Sequence, residues 1–158
     1  MNTIIREARI EDLDALYELN SVVHDLHVSF NVGVFKETDQ LEVISWFKEI
    51  MTEKDFSVFV VELNGEIAGY ILCKLNQRPS NIFLNARSSI YVEQIAVSNR
   101  FQRLGISKLL FERVFQYAKK NGISKVQLDV WSKNEAAHQA FEKLGFKTYN
   151  QKMELELE

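Results

Sequence analysis

Ser98-Asn99-Arg100-Phe101-Gln102-Arg103-Leu104-Gly105-Ile106-Ser107-Lys108 follows directly on the apolar run Tyr91-Val92-Glu93-Gln94-Ile95-Ala96-Val97. A run of this composition reads as a strand, here Ser89 to Val97. Beyond it, Ile106, Leu110, Val114 and Tyr117 recur at helical spacing and predict an amphipathic helix from about Leu104 to Lys120. Gly122 lies just past its end, where a helix-terminating glycine belongs. The quoted stretch is therefore a strand-to-helix turn. Amide N–H groups at a helix start are unpaired, and the helix dipole adds partial positive charge there. With Gly105 offering no side chain, and Arg100 and Arg103 nearby, such a turn can hold a pyrophosphate. The same residues also suit a plain β–α turn with solvated arginines, because glycine is frequent at such turns for conformational reasons alone.

Working outward, the stretch Lys125 to Val130 reads as a strand and Glu135 to Leu144 as a short helix closed by Gly145. A last strand is predicted from Phe146 towards Leu157, where Met153, Leu155 and Leu157 alternate with charge. Upstream, Phe56 to Leu63 and Ile67 to Leu75 flank Asn64-Gly65, the strongest short hairpin signal, because both turn residues accept positive φ. Thr3 to Ala8 is a first strand. Glu11 and Asp12 open a helix with Leu16, Leu19, Val23 and Leu26 on one stripe, and Asn31-Val32-Gly33 interrupts it. A second helix begins near Asp39, with Glu42 at capping-box spacing, and buries Ile44, Phe47, Ile50 and Met51. Pro79 sits in the polar loop Asn76 to Asn81. The order is β-α-α-β-β-β-α-β-α-β. Hairpins imply antiparallel pairing and the late strand-helix-strand unit a parallel pair. The expected fold is α/β of the α+β type, one domain over residues 1–158, with a mixed, mostly antiparallel sheet and helices on both faces.

Bulk properties narrow the function. The chain has 158 residues, 46% hydrophobic and 26% charged, which suits a globular domain with a real core. A net charge of -3 supplies no broad basic field, so nucleic acid is not expected as a partner. No apolar run approaches the roughly 20 residues that span a bilayer, and the first residues lack a secretion-signal pattern, so a cytoplasmic location without membrane association is expected. Cys73 is the sole cysteine, which rules out an internal disulfide and reads as core. His24 and His27 lie one helical turn apart with no recognisable third ligand, so no metal is expected.

Gln102-x-x-Gly105-x-Ser107 resembles the Gln/Arg-x-x-Gly-x-Gly/Ala signature with which GNAT-superfamily acetyltransferases bind the pyrophosphate of coenzyme A. Asn134-Glu135-Ala136-Ala137-His138-Gln139-Ala140-Phe141-Glu142-Lys143-Leu144-Gly145-Phe146 is similar to their second hallmark, a helix ending in a Lys-Leu-Gly-Phe-type turn. The element order matches over nearly the whole chain. The resemblance implies an N-acyltransferase that moves an acetyl group from acetyl-CoA to an amine of a small molecule or peptide by direct attack. It implies backbone contacts from Ile95, Ala96 and Val97 to the pantetheine arm, which lies between two splayed strands. It places the pyrophosphate against Gln102, Arg103, Leu104, Gly105, Ile106, Ser107 and Lys108, with Asn134 and Phe141 along the arm. An N-cap is the plainer role for Asn134.

Two positions depart from the family pattern. Ser107 replaces Gly or Ala, and Phe141 stands where many relatives carry a tyrosine that acts as general acid. Phenylalanine has no proton to give, so a catalytically silent acyl-CoA sensor or scaffold is the alternative reading. By strand alternation Glu93 shares a face with Tyr91, Ile95 and Val97; desolvation there raises its pKa and fits it as the general base. A surface or paired glutamate is the plainer reading. The Ile95 amide is placed to polarise the thioester carbonyl. Tyr91 and Tyr149 are the remaining phenols near the site, and spacing selects neither. Asp129 and Trp131 share a face and either line the acceptor pocket or pack structurally; the segment His27 to Lys36 shapes that pocket in the family. Relatives also pair through their last strands, so a homodimer through Lys152 to Leu157 is an expectation, although glutamates on that strand oppose edge pairing.

Overall fold

Asn64 and Gly65 take φ of 51° and 87°, the pair of positive values that a tight hairpin turn requires. Around that turn β2 (Phe56–Leu63) and β3 (Glu66–Arg78) pair antiparallel. In the computed structural model, which describes residues 1–31 and 33–158, β1 (Thr3–Glu7) adds to the outer edge of β2 and β4 (Arg87–Val97) to that of β3, both antiparallel. β5 (Val126–Leu128) joins β4 in parallel, giving the sheet order β1-β2-β3-β4-β5. This is the mixed, mostly antiparallel sheet expected.

Side chains alternate between its faces, and each face has its own core. On one, α1 (Leu13–Phe30) and α2 (Gln40–Ile50) cover Val58, Val60, Tyr70 and Leu72, with Leu16 and Phe47 fully buried between them. On the other, α3 (Ile106–Lys120) lays Leu110, Phe111 and Val114 on Phe59, Ile71 and Val92. Phe141 and Leu144, from α4 (Glu135–Lys143) and its C-cap, pack at the rim of this second core. Cys73 lies inside it, its thiol pushed up to about 12 by burial against a smaller opposing pull from Arg113.

Caps and ion pairs join these elements. Asp39 caps α2, its carboxylate accepting from the amides of Leu41 and Glu42 at 2.9 and 3.2 Å. Asp12 precedes α1 but makes no such cap. Its carboxylate instead takes two hydrogen bonds from the Arg6 guanidinium, 2.7 and 3.0 Å, and one from the Arg9 amide. Arg6 also donates to Glu62 on β2, so one partly buried fork ties β1, β2 and the start of α1.

Several predicted boundaries move. β3 runs three residues past Leu75 and β4 begins at Arg87, so the connecting loop is shorter than the polar composition implied. α3 starts at Ile106 rather than Leu104, because Gly105 is left-handed at φ 75° and cannot continue a helix backwards. Of the interruption at Asn31-Val32-Gly33, Val32 lies outside the described residues; α1 ends at Phe30. The last predicted strand does not form. Residues 146–158 belong to no helix or strand, and Met153, Leu155 and Leu157 are 83–95% exposed. Alternation alone makes no strand without a ladder, and β5, at three residues instead of the six predicted, offers a short edge. No helix among the described residues is long and apolar enough to cross a membrane.

Candidate active site

β4 and β5 form a fork. They pair at Ile90↔Val126, Tyr91↔Gln127 and Val92↔Leu128, and then part. Beyond that point β4 is held by β3 alone, while the other prong leaves the sheet through Asp129, Val130 and Trp131. At the crotch β4 carries an extra residue. Its register steps from Cys73↔Val92 to Leu72↔Gln94, so Glu93 faces no partner on β3. Such a β-bulge bends the strand and re-aims side chains.

The bulge overturns the predicted alternation. Ile90 and Val92 share one core with Ile95 and Val97, despite the change from even to odd numbering. Tyr91 therefore lies on the opposite face from Ile95 and Val97, beside its cross-strand partner Lys74. The parity change was present in the sequence as two apolar pairs out of phase around Glu93-Gln94.

The open prong of β4 presents backbone. The Ser98 amide bonds the Ala68 carbonyl on β3 at 2.8 Å. Amides alternate in direction along an antiparallel strand, so Ala96 also turns to β3 while the N–H and C=O of Ile95 and Val97 point into the gap. Ala96, expected among the binding residues, gives the gap neither group, and its side chain is buried under α1.

At the far end of that prong the quoted loop makes a second polar surface. Ser98 Oγ accepts from the Arg100 amide at 3.3 Å and starts a short 3-10 turn over Asn99–Phe101. Arg103 and Gly105 then both adopt left-handed backbone, φ 64° and 75°. Left-handed residues beside a helix start turn successive N–H groups into one concavity, an anion nest. The first intrahelical bond runs from the Leu109 amide to the Gly105 carbonyl, so the amides of Ile106, Ser107 and Lys108 precede it. A side chain at Gly105 would meet nothing within 4 Å; what demands glycine is the positive φ. Gly69 has the reverse reason. A Cβ there would come within 2.8 Å of the Ala96 carbonyl and 3.0 Å of Ile106 Cγ2, so its absence lets α3 begin directly against the sheet.

The other residues singled out in the sequence have the following surroundings. Ile106 is buried and offers its amide alone, whereas Arg103, Leu104, Ser107 and Lys108 are exposed. Gln102 Nε2 donates to Asn99 Oδ1 at 2.7 Å. Arg100 does not join the nest: it is ion-paired with Glu66 and lies over the Phe101 ring. Asn134 caps α4 through Oδ1, which accepts from the Ala137 amide at 3.2 Å, and its Nδ2 has no partner among the described residues. Phe141 sits 5.8 Å from Phe111 and 6.1 Å from Phe146, part of an aromatic cluster.

At the crotch, Tyr91 Oη donates to Asp129 Oδ2 at 2.5 Å, linking the prongs. Partial burial raises the Tyr91 pKa, and the Asp129 carboxylate raises it further, because both penalise the phenolate. Glu93 is also held above the usual carboxylate range, first by burial and then by Asp129, with Lys74 pulling the other way. Its side chain stays accessible from solvent on the bulge. Tyr149 is exposed and accepts from Gln127 Nε2 at 3.1 Å. Trp131 meets Phe35 edge-on at 5.5 Å, and Lys133 donates to the Phe30 carbonyl, so the second prong touches the α1–α2 connection. From α1, His27 stacks on Phe35 of that connection, and His24 Nε2 lies 2.6 Å from the Lys36 carbonyl. Strand spacing alone could not reveal Tyr91–Asp129 or Phe35–Trp131, because each joins segments far apart in the chain.

The sequence model of the Acetyltransferase (GNAT) family matches residues 14–146, most of the chain and all of the fork. The chain belongs to the GNAT acetyltransferase family. It is 34% identical over 101 residues to an uncharacterized N-acetyltransferase of Methanocaldococcus jannaschii, covering 64% of this chain and 43% of that protein. The chain thus spans less than half the length of that relative. An N-alpha-acetyltransferase of Sulfurisphaera tokodaii is 29% identical over 146 residues, 90% of this chain and 79% of the other. Among solved structures, a tetramutant of the BH1408 protein of Bacillus halodurans superposes with a TM-score of 0.93 at 28% identity, covering 98% of this chain and 99% of the other.

Proposed function

We propose that this GNAT chain transfers an acetyl group from acetyl-CoA to a primary amine of a small molecule or peptide, by direct attack. The observation that carries the reading is the continuous polar edge formed by Ile95, Val97, the Arg103–Gly105 nest and the first amides of α3. An extended amide-bearing arm with a pyrophosphate at one end is the ligand such an edge suits. The arm pairs with the backbone of Ile95 and Val97, as an added strand does. The pyrophosphate lies in the nest, with Arg103, Gln102 and Lys108 around it. Asn134 Nδ2 reaches the arm from the opposite prong, and Phe141 supplies an apolar wall.

The reacting carbonyl then lies at the crotch. Glu93 removes a proton from the acceptor ammonium, directly or through water. The amine lone pair forms the new C–N bond, the C–S bond breaks with its electron pair on sulfur, and the nitrogen sheds its second proton to water. The Ile95 amide donates to the carbonyl oxygen as negative charge gathers there. Phe141 cannot protonate the departing sulfur, but a thiol of ordinary pKa, about 8.5, leaves acceptably as thiolate and takes its proton from water.

The melting temperature with and without acetyl-CoA, followed by thiol release across an amine panel, tests this. Stabilisation by ligand and release with an amine are expected. No shift at saturating acetyl-CoA sinks the reading. Phe141 supports one alternative, a silent acyl-CoA sensor or scaffold, for which the melting shift occurs and no amine releases thiol.

A further inference from the structure

Asn20 on α1, Tyr70 on β3 and Gln94 on β4 close a ring of hydrogen bonds on the α1–α2 side of the sheet. Asn20 Nδ2 donates to Tyr70 Oη and to Gln94 Oε1, both at 3.1 Å. Tyr70 Oη donates in turn to Gln94 Oε1 at 2.9 Å. Tyr70 is 1% exposed, so its hydroxyl depends on these partners. Two groups of the ring are left over. A side-chain amide has two N–H donors and one carbonyl acceptor. The ring uses the Asn20 donors and the Gln94 carbonyl; Asn20 Oδ1 and Gln94 Nε2 have no partner among the described residues. Neither is sealed from solvent, and the ring fixes both in place. A fixed acceptor beside a fixed donor is the complement of a neutral group that itself both donates and accepts.

The ring stands beside the crotch of the fork. Gln94 follows Glu93 directly, on the far side of the bulge. Lys74 pairs across the ladder with both Phe56 and Tyr91, and Phe56 packs in the α1–α2 core. Glu93 lies in the field of Lys74 and Asp129, and Asp129 holds the Tyr91 hydroxyl. Tyr91, Glu93 and Gln94 therefore open on one face, the face that α1 covers. Asn20, His24 and His27 follow at helical spacing along α1, and the two histidines reach Lys36 and Phe35. We infer that Asn20 and Gln94 select the acceptor: the carbon bearing its amine also bears a neutral group that donates and accepts, an amide or a hydroxyl. Gln94 Nε2 donates to the oxygen of that group, and Asn20 Oδ1 accepts from its N–H or O–H. Cα atoms of successive residues are about 3.8 Å apart, so a nitrogen at Glu93 and a group at Gln94 belong to one small frame. A methyl group in that place leaves both amide ends unpaired. A carboxylate has no proton for Asn20, and Glu93 and Asp129 repel it while only Lys74 attracts it.

The inference rests on the acetyl-transfer reading, and thiol release from acetyl-CoA tests it with amines of one frame: alaninamide, 2-aminopropanol, isopropylamine and alanine. In the parent, kcat/KM is expected to be roughly 10- to 100-fold higher for alaninamide or 2-aminopropanol than for isopropylamine, with alanine lowest. The better of the first two names the group. Gln94→Leu opens the ring. Gln94→Glu keeps it, because a carboxylate still accepts from Asn20 and Tyr70 but has no N–H to give. Both variants should cut the preference over isopropylamine by about tenfold, a ratio in which the differing basicity of the amines cancels. Gln94→Glu should do so with its melting temperature nearly retained, which separates reading the acceptor from supporting the fold. Equal kcat/KM for alaninamide, 2-aminopropanol and isopropylamine in the parent overturns the inference and leaves acetyl transfer standing. So does a Gln94→Glu variant that keeps the parent's preference, or thiol release by other amines and by none of these. No release with any amine removes the transfer reading itself, and the inference falls with it.

Discussion

The two halves of the sheet are built to opposite ends. From β1 to β3 the ladder is antiparallel, both faces are covered by helices, and Phe59, Val60, Val61 and Ile71 have no exposed surface. From β4 to β5 three residue pairs hold the strands, an unpaired glutamate interrupts the register, and backbone groups face open space. Continuity buries apolar area and makes stability; interruption leaves hydrogen-bonding groups unsatisfied, and these are what a ligand can use. A substitution in the first half should therefore be felt in melting, and one in the second in binding and turnover.

The sharpest break of that division is Glu93→Gln, expected to lower turnover by roughly 10²–10⁴-fold with little change in melting temperature or acetyl-CoA affinity. The base must be ionised, so the parent's rate falls as pH drops through the Glu93 pKa, and the acid limb lies above the usual carboxylate range. Asp129→Asn removes one cause of that rise and moves the limb down. Full activity and an unmoved limb in Glu93→Gln removes Glu93 from the chemistry.

Phe59→Ala is the counterpart in the continuous half. It empties a fully buried site beneath Arg113 and beside Tyr117, and should cost about 3–5 kcal/mol in urea unfolding. A loss below 1 kcal/mol would mean that the core collapses around the gap.

Asp12→Ala follows, at about 1–3 kcal/mol, scaled down from a fully buried pair because the fork is partly open to water. Burial pushes the Asp12 carboxyl up, but the hydrogen bonds from Arg6 and Arg9 together outweigh it and hold the pKa below its ordinary value. A depressed carboxyl stabilises the fold above its unfolded pKa, near 4, and that contribution is lost as pH falls through the folded value. The parent should lose stability on acidification more steeply than the variant; parallel curves would deny Asp12 this role.

A smaller cost than at Phe59 or Asp12 is expected at the nest. Gly105→Ala places a side chain at φ 75° for a cost of about 1–2 kcal/mol. Its Cβ meets no protein atom, so weaker acetyl-CoA binding beyond that modest destabilisation would locate the ligand on the open side of the loop. Unchanged affinity would place the pyrophosphate elsewhere.

Much of the architecture was legible before the structure because it rests on neighbours in the chain. Asn64-Gly65 specifies its own turn, Ile106, Leu110 and Val114 line one helix face whatever they pack against, and Asp39 caps the helix it precedes. The Arg103–Gly105 loop belongs with these, since its conformation is local. What tertiary contact decided involves groups brought together from distant positions. The extra residue at Glu93 exists only relative to β3, where Leu72 and Cys73 skip it. Tyr91 finds Asp129, and Arg100 is drawn from the nest to Glu66, because separate segments converge. Met153 to Leu157 shows the limit from the other side: the alternation of a strand was present, but a strand is a relation between chains of hydrogen-bonding groups, and within this fold no ladder accepts it. Periodicity can say which face of a segment is apolar; only the assembled sheet determines whether anything lies opposite.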